Sequence, residues 1–341
     1  MASQPPPESY VFAQFKGLRN TIDATRLSPT ELVVARNVDL DDAGQLRRRR
    51  GYGRKVSGRF HSLFTGTLAT YGVKNGELGL INRDYSFIPL GVDVGTDSRV
   101  AYVQVADDIY FSSGRVSGVI RPSQAVDPWG QIGGDTMWVS PVVNPTAGLT
   151  PIRGKLFGPP PMATVLGERN GRIYLGEGRT LWATELYLPH QVDKTRNFLQ
   201  FEDDITGIGM VNDGLYVGTR SSLWFLSGTF PLKRDLALAS PVIAGSMVAA
   251  DPKIVAPQAQ SSAAVLILTE SGLICGLDGG VVLNLTHDMM LFPQSERAAA
   301  MFRRQDGGNH YIVAQDSAGT PISSARVGDY CDAEIRRFQG G

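Results

Sequence analysis

From about residue 60 onward, short apolar runs alternate with clusters of Gly, Asn, Asp and Ser. The stretch from Gly207 to Gly228 carries the pattern most clearly. Ile208 to Val211 is apolar, and Leu215 to Val217 is a second run rich in β-formers. Between them, Asn212, Asp213 and Gly214 are residues that tolerate positive φ and so favour a tight turn. Gly218 to Ser222 is polar and turns again, and Leu223 to Leu226 forms a third run. Three short strands in about twenty residues predict a tight antiparallel meander.

The pattern recurs. Ser62 to Thr67, Leu68 to Val73 and Glu77 to Ile81 form one group, with a hairpin signal at Asn75-Gly76. Val100 to Val105, Ile109 to Ser112 and Gly118 to Ile120 form a second. Arg172 to Leu175 and Thr180 to Thr184 form a third, and Ala263 to Thr269, Gly272 to Leu277 and Val281 to Leu285 a fifth after the Gly207 stretch. Asn309 to Gln315 begins a sixth. The first strong strands centre on Ala69, Tyr110, Tyr174, Tyr216, Leu266 and Ile312, at spacings of about 41, 64, 42, 50 and 46 residues. Repeats of roughly 40–50 residues with several short strands each predict an all-β chain, a β-propeller of about five to seven antiparallel meander blades. A β-sandwich followed by a second β-domain is the other arrangement the pattern allows.

This reading divides the chain into an N-terminal arm over 1–55, a propeller over 56–320 and a C-terminal tail over 321–341. The long gap at 121–170 is rich in Pro and Gly and predicts an insertion or a degenerate blade. Within the arm, Ser28, Pro29 and Glu31 have the form of a capped helix start, which predicts a short helix over Pro29 to Arg36.

Composition narrows the functional classes. The chain has 341 residues and 39 Gly, and its 33 basic and 33 acidic side chains cancel. Global charge therefore gives no argument for nucleic-acid binding. Cys275 sits in an apolar run and reads as a small buried hydrophobe, and the pair Cys275 and Cys331 does not resemble a secreted disulfide framework. The N-terminus has no basic and apolar leader, and no run approaches a membrane span, so the expectation is a soluble chain made in a cytoplasm.

Candidate chemistry is sparse. His61, His190, His287 and His310 lie far apart, with no paired metal-ligand spacing. There is no nucleophile elbow and no phosphate-binding loop. Glu202, Asp203 and Asp204 read as a solvated turn. Trp182 and Trp224 hold equivalent places in consecutive repeats, which predicts a role in the blade core. The densest charge cluster is Arg47, Arg48, Arg49 and Arg50. Guanidinium groups bind phosphate, dock on acidic protein surfaces, or blunt an exposed strand against aggregation. Alternation along a strand puts two of the four on each face. The reading is non-enzymatic, with no cofactor and no metal.

One stretch carries a family resemblance. Phe15 to Asn20, then Leu27 to Leu32, then Ala35 to Tyr52 with its Asn-Val-Asp-Leu and Leu-Arg-Arg-Arg-Arg-Gly-Tyr runs, resembles the start of a class of tailed-bacteriophage virion proteins. Asp213 to Thr219 with Leu223 to Gly228, and Arg179 to Thr184, resemble the middle of such proteins. The likeness spans roughly residues 12–55 and 170–230. It implies a structural tail component similar to the nozzle or hub proteins of short-tailed phages. Those are propeller-bearing subunits set in a ring below the portal and adaptor, around the path of the DNA. The implied partners are portal or adaptor proteins above, tail fibre or tip proteins below, and further copies of the chain, as a hexamer. DNA would be met only in transit, and the implied location is the virion tail. The alternative expectation is a propeller that binds or cleaves host-surface carbohydrate, for which Glu177, Glu185 and Asp213 are the candidate carboxylates.

Overall fold

The computed structural model describes residues 14–35, 38–40, 44–48, 53–130, 157–230, 232–286, 289–290, 292, 295–305, 308–315 and 334–338. Twenty-nine strands run through them. The arm holds β1 (Gly17–Leu18), β2 (Glu31–Leu32), β3 (Val38–Leu40) and β4 (Leu46–Arg48). Blade 1 is β5 (Phe60–Thr65), β6 (Thr70–Lys74), β7 (Glu77–Ile81) and β8 (Phe87–Asp93). Blade 2 is β9 (Ala101–Val105), β10 (Asp108–Ser112), β11 (Ser117–Ile120) and β12 (Val126–Pro128). A short β13 (Phe157–Gly158) pairs with β17 (Val192–Asp193). Blade 3 is β14 (Val165–Arg169), β15 (Arg172–Glu177), β16 (Thr180–Ala183) and β18 (Phe198–Gln200). Blade 4 is β19 (Ile205–Met210), β20 (Gly214–Thr219), β21 (Leu223–Ser227) and β22 (Lys233–Leu238). Blade 5 is β23 (Val248–Ala250), β24 (Ala264–Thr269), β25 (Gly272–Leu277) and β26 (Val282–Asn284). Blade 6 is β27 (Ala298–Gln305), β28 (Gly308–Gln315) and β29 (Glu334–Phe338).

Each blade is an antiparallel meander in sequence order, and from blade 2 to blade 6 the first strands of successive blades lie against one another. The chain is a β-propeller. Alternation of side chains explains why the second strands read as unbroken apolar runs: both of their faces are covered. In β20, Leu215 and Val217 point to blade 3 while Tyr216 points to blade 5. In β24, Val265 and Ile267 point back to blade 4 while Leu266 and Leu268 point on to blade 6. Each of five apolar clusters fills the space between one pair of consecutive blades, from blades 1 and 2 through blades 5 and 6. Glycine lets the blades converge. A Cβ on Gly218 would fall 2.6 Å from Val242 Cγ1 of the neighbouring wall.

Several expectations are corrected. No helix forms over residues 29–35 of the expected Pro29 to Arg36, and Arg36 lies outside the described residues. Half of the capping box forms, with Ser28 N–H donating to Glu31 Oε2 at 3.0 Å, but Glu31 N–H bonds the Ser28 backbone carbonyl at 2.9 Å and the Ser28 hydroxyl faces Thr30 Oγ1 instead. The chain then turns into β2, which pairs in parallel with β1, and Arg19 N–H donates to the Leu32 carbonyl. The β-branched Val33 and Val34 favour that extended course. The described helices are a one-turn α1 (Pro252–Val255) and short 3₁₀ turns such as Ala24–Arg26. The 121–170 gap contributes the outer strand of blade 2 and the inner strand of blade 3, and its middle, 131–156, lies outside the described residues. Of the 321–341 tail, β29 is described, as the third strand of blade 6.

Candidate interaction sites and the central channel

The arm is tied to the propeller above the junction of blades 5 and 6. Asn20 N–H donates to the Met289 carbonyl at 3.0 Å, and the Arg19–Glu31 ion pair at 2.9 Å fixes the arm internally. The arginine run falls on the second strand of a two-stranded hairpin, where Arg48 stands opposite Val38 and Arg47 opposite Asp39. Arg47 and Arg48 are exposed and, by alternation, face opposite ways. Arg49 and Arg50 lie outside the described residues.

The candidate carboxylates do not converge. Glu177 Oε2 accepts from Trp182 Nε1 at 2.9 Å, at one end of β16. Glu185, just beyond the other end of β16, accepts from Asn197 Nδ2 at 2.9 Å. Asp213 sits in the first turn of blade 4 and accepts from Gly279 N–H at 2.7 Å. Glu177 and Glu185 brace segments of blade 3, and Asp213 ties the first turn of blade 4 to a turn of blade 5. A glycosidase pair would need two carboxyl groups flanking one bond.

Trp182 and Trp224 do occupy equivalent positions in the third strands of blades 3 and 4, opposite Leu175 and Val217, each the fourth residue of its second strand. They are half-buried rather than central, because the preceding Leu181 and Leu223 take the fully buried places. Each indole is clamped. Lys194 Nζ lies 4.7 Å from the Trp182 centroid, and the Arg234 guanidinium 4.7 Å from that of Trp224. Each Nε1 donates to a glutamate, Glu177 or Glu202. One face of each ring is therefore occupied by a cation.

The described histidines serve packing. His61 donates or accepts at Ser62 Oγ, 2.9 Å away, and burial holds its pKa below 6.5, partly offset by Asp97. His190 packs on Tyr110 with ring centroids 5.7 Å apart. His310 is buried in β28, and His287 lies outside the described residues. Among the described residues, no three His, Cys, Asp or Glu side chains are grouped to hold a metal ion. Cys275 is buried, which pushes its thiol up to about 12, and this suits a packing residue rather than a nucleophile.

One feature has no sequence motif. Arg99, just before the inner strand of blade 2, reaches across the channel to the starts of blades 5 and 6. Gly245 has φ +83°, and a Cβ there would collide with the Arg99 guanidinium and the Ala298 carbonyl oxygen. The Arg99 side chain keeps solvent access, while the protein packed about it lowers its pKa. Gly245→Ala is expected to cost about 2–3 kcal/mol, from strained backbone and the collision together. In an Arg99→Ala background the same change should cost about 1 kcal/mol less, since one of the two obstacles is gone. Denaturation midpoints of the four proteins of this cycle test it, and strict additivity would place Arg99 elsewhere.

No protein-family model matches the sequence, and no curated protein matches it. Solved structures do resemble the fold. BBS1N, in complex with ARL6DN, is 13% identical over 82% of this chain and 83% of that chain, with a TM-score of 0.46. The extracellular domain of the putative one component system BT4673 from B. thetaiotaomicron is 13% identical over 80% of this chain and 33% of its own, with a TM-score of 0.45. Hsv2 of Kluyveromyces lactis is 11% identical over 79% of this chain and 81% of its own, with a TM-score of 0.40.

Proposed function

We propose that the chain is a non-catalytic structural subunit of a bacteriophage tail, a nozzle- or hub-like propeller that assembles into a ring around the DNA path. The observation that carries the reading is the arm that precedes the propeller. Its Phe15 to Asn20 and Ala35 to Tyr52 runs resemble the opening of such proteins. Its β-paired course, tied at Asn20 to the blade 5–6 junction, suits a segment that joins neighbours. Two further observations agree with it. The candidate carboxylates each accept a structural hydrogen bond, two within blade 3 and one between blades 4 and 5. The balanced charge, 33 basic against 33 acidic groups, suits a passage that must release DNA, because dense basic charge would retain it. Arg99 lies across the mouth of the propeller's own channel, so in this reading the DNA passes through the centre of the ring and not through a single subunit. The arginine run is the docking element for an acidic neighbour in the tail.

Light scattering of the purified full-length chain, with negative-stain imaging, tests the reading. The expected result is a closed ring of about six copies, in keeping with cyclic assembly. A chain that stays monomeric and never co-purifies with virions would overturn it. Replacing Arg47 to Arg50 together by Ser should leave the ring intact and weaken its joining to the next tail component. Unchanged virion assembly would remove the docking role.

A further inference from the structure

Blade 2 treats its arginines differently at its two ends. Away from the channel mouth, Arg121 is held between two carboxylates, with Nη1 2.7 Å from Asp108 Oδ2 and Nε 2.8 Å from Asp127 Oδ2. Arg99 and Arg115 stand at the mouth end. Arg99 precedes β9 and Arg115 lies in the turn between β10 and β11, and the pairing of Ala101 with Ser112 puts both at the same end. Both are exposed, and among the described residues neither guanidinium has an ion-pair partner. Asp97, the nearest acid along the chain, is exposed and bears on His61.

Glycine seats both guanidiniums. Arg99 Nη1 takes the place that a Cβ on Gly245, at φ +83°, would fill. Arg115 Nη1 lies 3.0 Å from where a Cβ on Gly95, at φ +82°, would be. That same point is 3.5 Å from Ser98 Oγ, so Arg115 and Ser98 stand together on the connection that carries Arg99. Glycine adopts this left-handed backbone freely, and a side chain at either site would push the arginine away. Two positive charges are held there without a counter-charge. The protein packed about Arg99 lowers its pKa, and no opposite charge raises it back. An anion that reached such a cation would be attracted strongly, because protein has replaced part of the screening water.

We infer that the channel mouth at the connection from blade 1 to blade 2 is an oxyanion site that takes a phosphate group, with Arg99 as its fork and Arg115 and Ser98 as flanking donors. A guanidinium presents paired N–H groups that match two oxygens of a phosphate. A phosphate carries more charge than one arginine neutralises, and the second guanidinium and the hydroxyl meet the remainder. A carboxylate would need only a single fork. The site lies within one chain, so it goes beyond the ring reading and does not depend on it.

Isothermal titration calorimetry of inorganic phosphate into the full-length chain, at an ionic strength held constant with chloride, tests the site. One equivalent of phosphate should bind. Arg99→Ala should weaken binding by about tenfold or more, as expected for lost hydrogen bonds between charged groups. Arg115→Ala should weaken it less, and Arg99→Lys should keep part of the affinity, since it retains the charge and loses the fork. Arg83→Ala, at an exposed arginine in the turn between β7 and β8, should leave binding unchanged. Circular dichroism checks that each variant folds; if Arg99→Ala does not, Arg99→Lys and Arg115→Ala carry the test. Competition with a short single-stranded oligonucleotide separates the sources: displacement of phosphate assigns the site to backbone phosphate, no displacement to the free ion or a monoester, and both support the site. Acetate binding as tightly as phosphate would overturn the phosphate assignment. No heat above the chloride background, or phosphate binding undiminished in the folded Arg99 variants, would overturn the inference.

Discussion

Replacing Tyr216 with alanine is expected to destabilise the propeller by about 4 kcal/mol. The residue stands in the middle of β20, is fully buried, and is among the largest side chains with no exposure. Its ring crosses from blade 4 to blade 5, packs at a tilt on Phe225 with ring centroids 5.0 Å apart, and fills the space that Gly276 leaves open. A Cβ on Gly276 would fall 2.7 Å from Tyr216 Cε2, so glycine there and tyrosine here are one fitted pair. The hydroxyl donates to the Leu277 carbonyl at 2.6 Å and lies 3.0 Å from that of Val281. Truncation opens a cavity between two blades and removes the hydroxyl from both carbonyls, of which Val281's keeps its bond from Leu277 N–H. Tyr216→Phe separates the terms, since it keeps the ring and loses only the hydroxyl, at about 1–2 kcal/mol. Chemical denaturation of the three proteins decides it. Equal losses for Ala and Phe would mean that the hydroxyl, and not the packing, holds the junction.

That pair also shows what the sequence makes legible and what it hides. The apolar run Leu215 to Val217 marks a strand covered on both faces, and the turn residues Asn212 to Gly214 mark its start. Periodicity of this local kind exposes the second and third strands of the blades, because they are short, continuous and flanked by Gly, Asn or Asp. It hides most outer strands. Lys233 to Leu238 is largely exposed and carries Lys, Arg and Asp, so it has no apolar run to announce it. It hides some inner strands too, though not those at Ser62 to Thr67, Val100 to Val105 and Ile208 to Val211. Val165 to Arg169 is interrupted by Gly and by charge, because blades crowd near the axis and glycine replaces apolar bulk there. The helix expected after Ser28 fails for a different reason. The Glu31 side chain does reach back to Ser28 N–H, but the backbone groups beyond it are taken by β1, a partner that lies more than ten residues upstream and leaves no local trace. Arg99 is the extreme case. It bears on Gly245 and Ala298 from across the molecule, and only the closing curvature of the blades brings them together.

Asp278→Ala is expected to cost about 3 kcal/mol and to loosen the junction of blades 4 and 5 at the end opposite the channel mouth. The Asp278-Gly-Gly280 turn looks like an ordinary hairpin in the sequence, yet its carboxylate is a hub. Oδ1 accepts from Asn212 N–H at 2.9 Å, across the junction. Oδ2 accepts from Ser262 N–H and Oγ, from Ser261 Oγ and from Ala263 N–H, at 2.8–3.1 Å. The next residue, Gly279, donates back to Asp213. Partial burial disfavours the charge, but the donors from Ser262, Asn212 and Ser261 outweigh it and hold the carboxyl below its ordinary 3.8. The sign follows from linkage. A carboxyl with a depressed folded-state pKa binds fewer protons when folded than when unfolded, so its contribution is full above pH 3.8 and fades as pH falls through the folded value. The stability gap between the native chain and Asp278→Ala should therefore be constant near neutrality and shrink on acidification below about pH 3.8. Asp278→Asn should sit between the two, because an amide keeps one acceptor but points its own N–H groups at donors. Denaturation midpoints across pH, with hydrogen exchange at Asn212 to Gly214, test the account. A gap that persists undiminished into strong acid would show that the turn's shape, and not its charge, holds the two blades together.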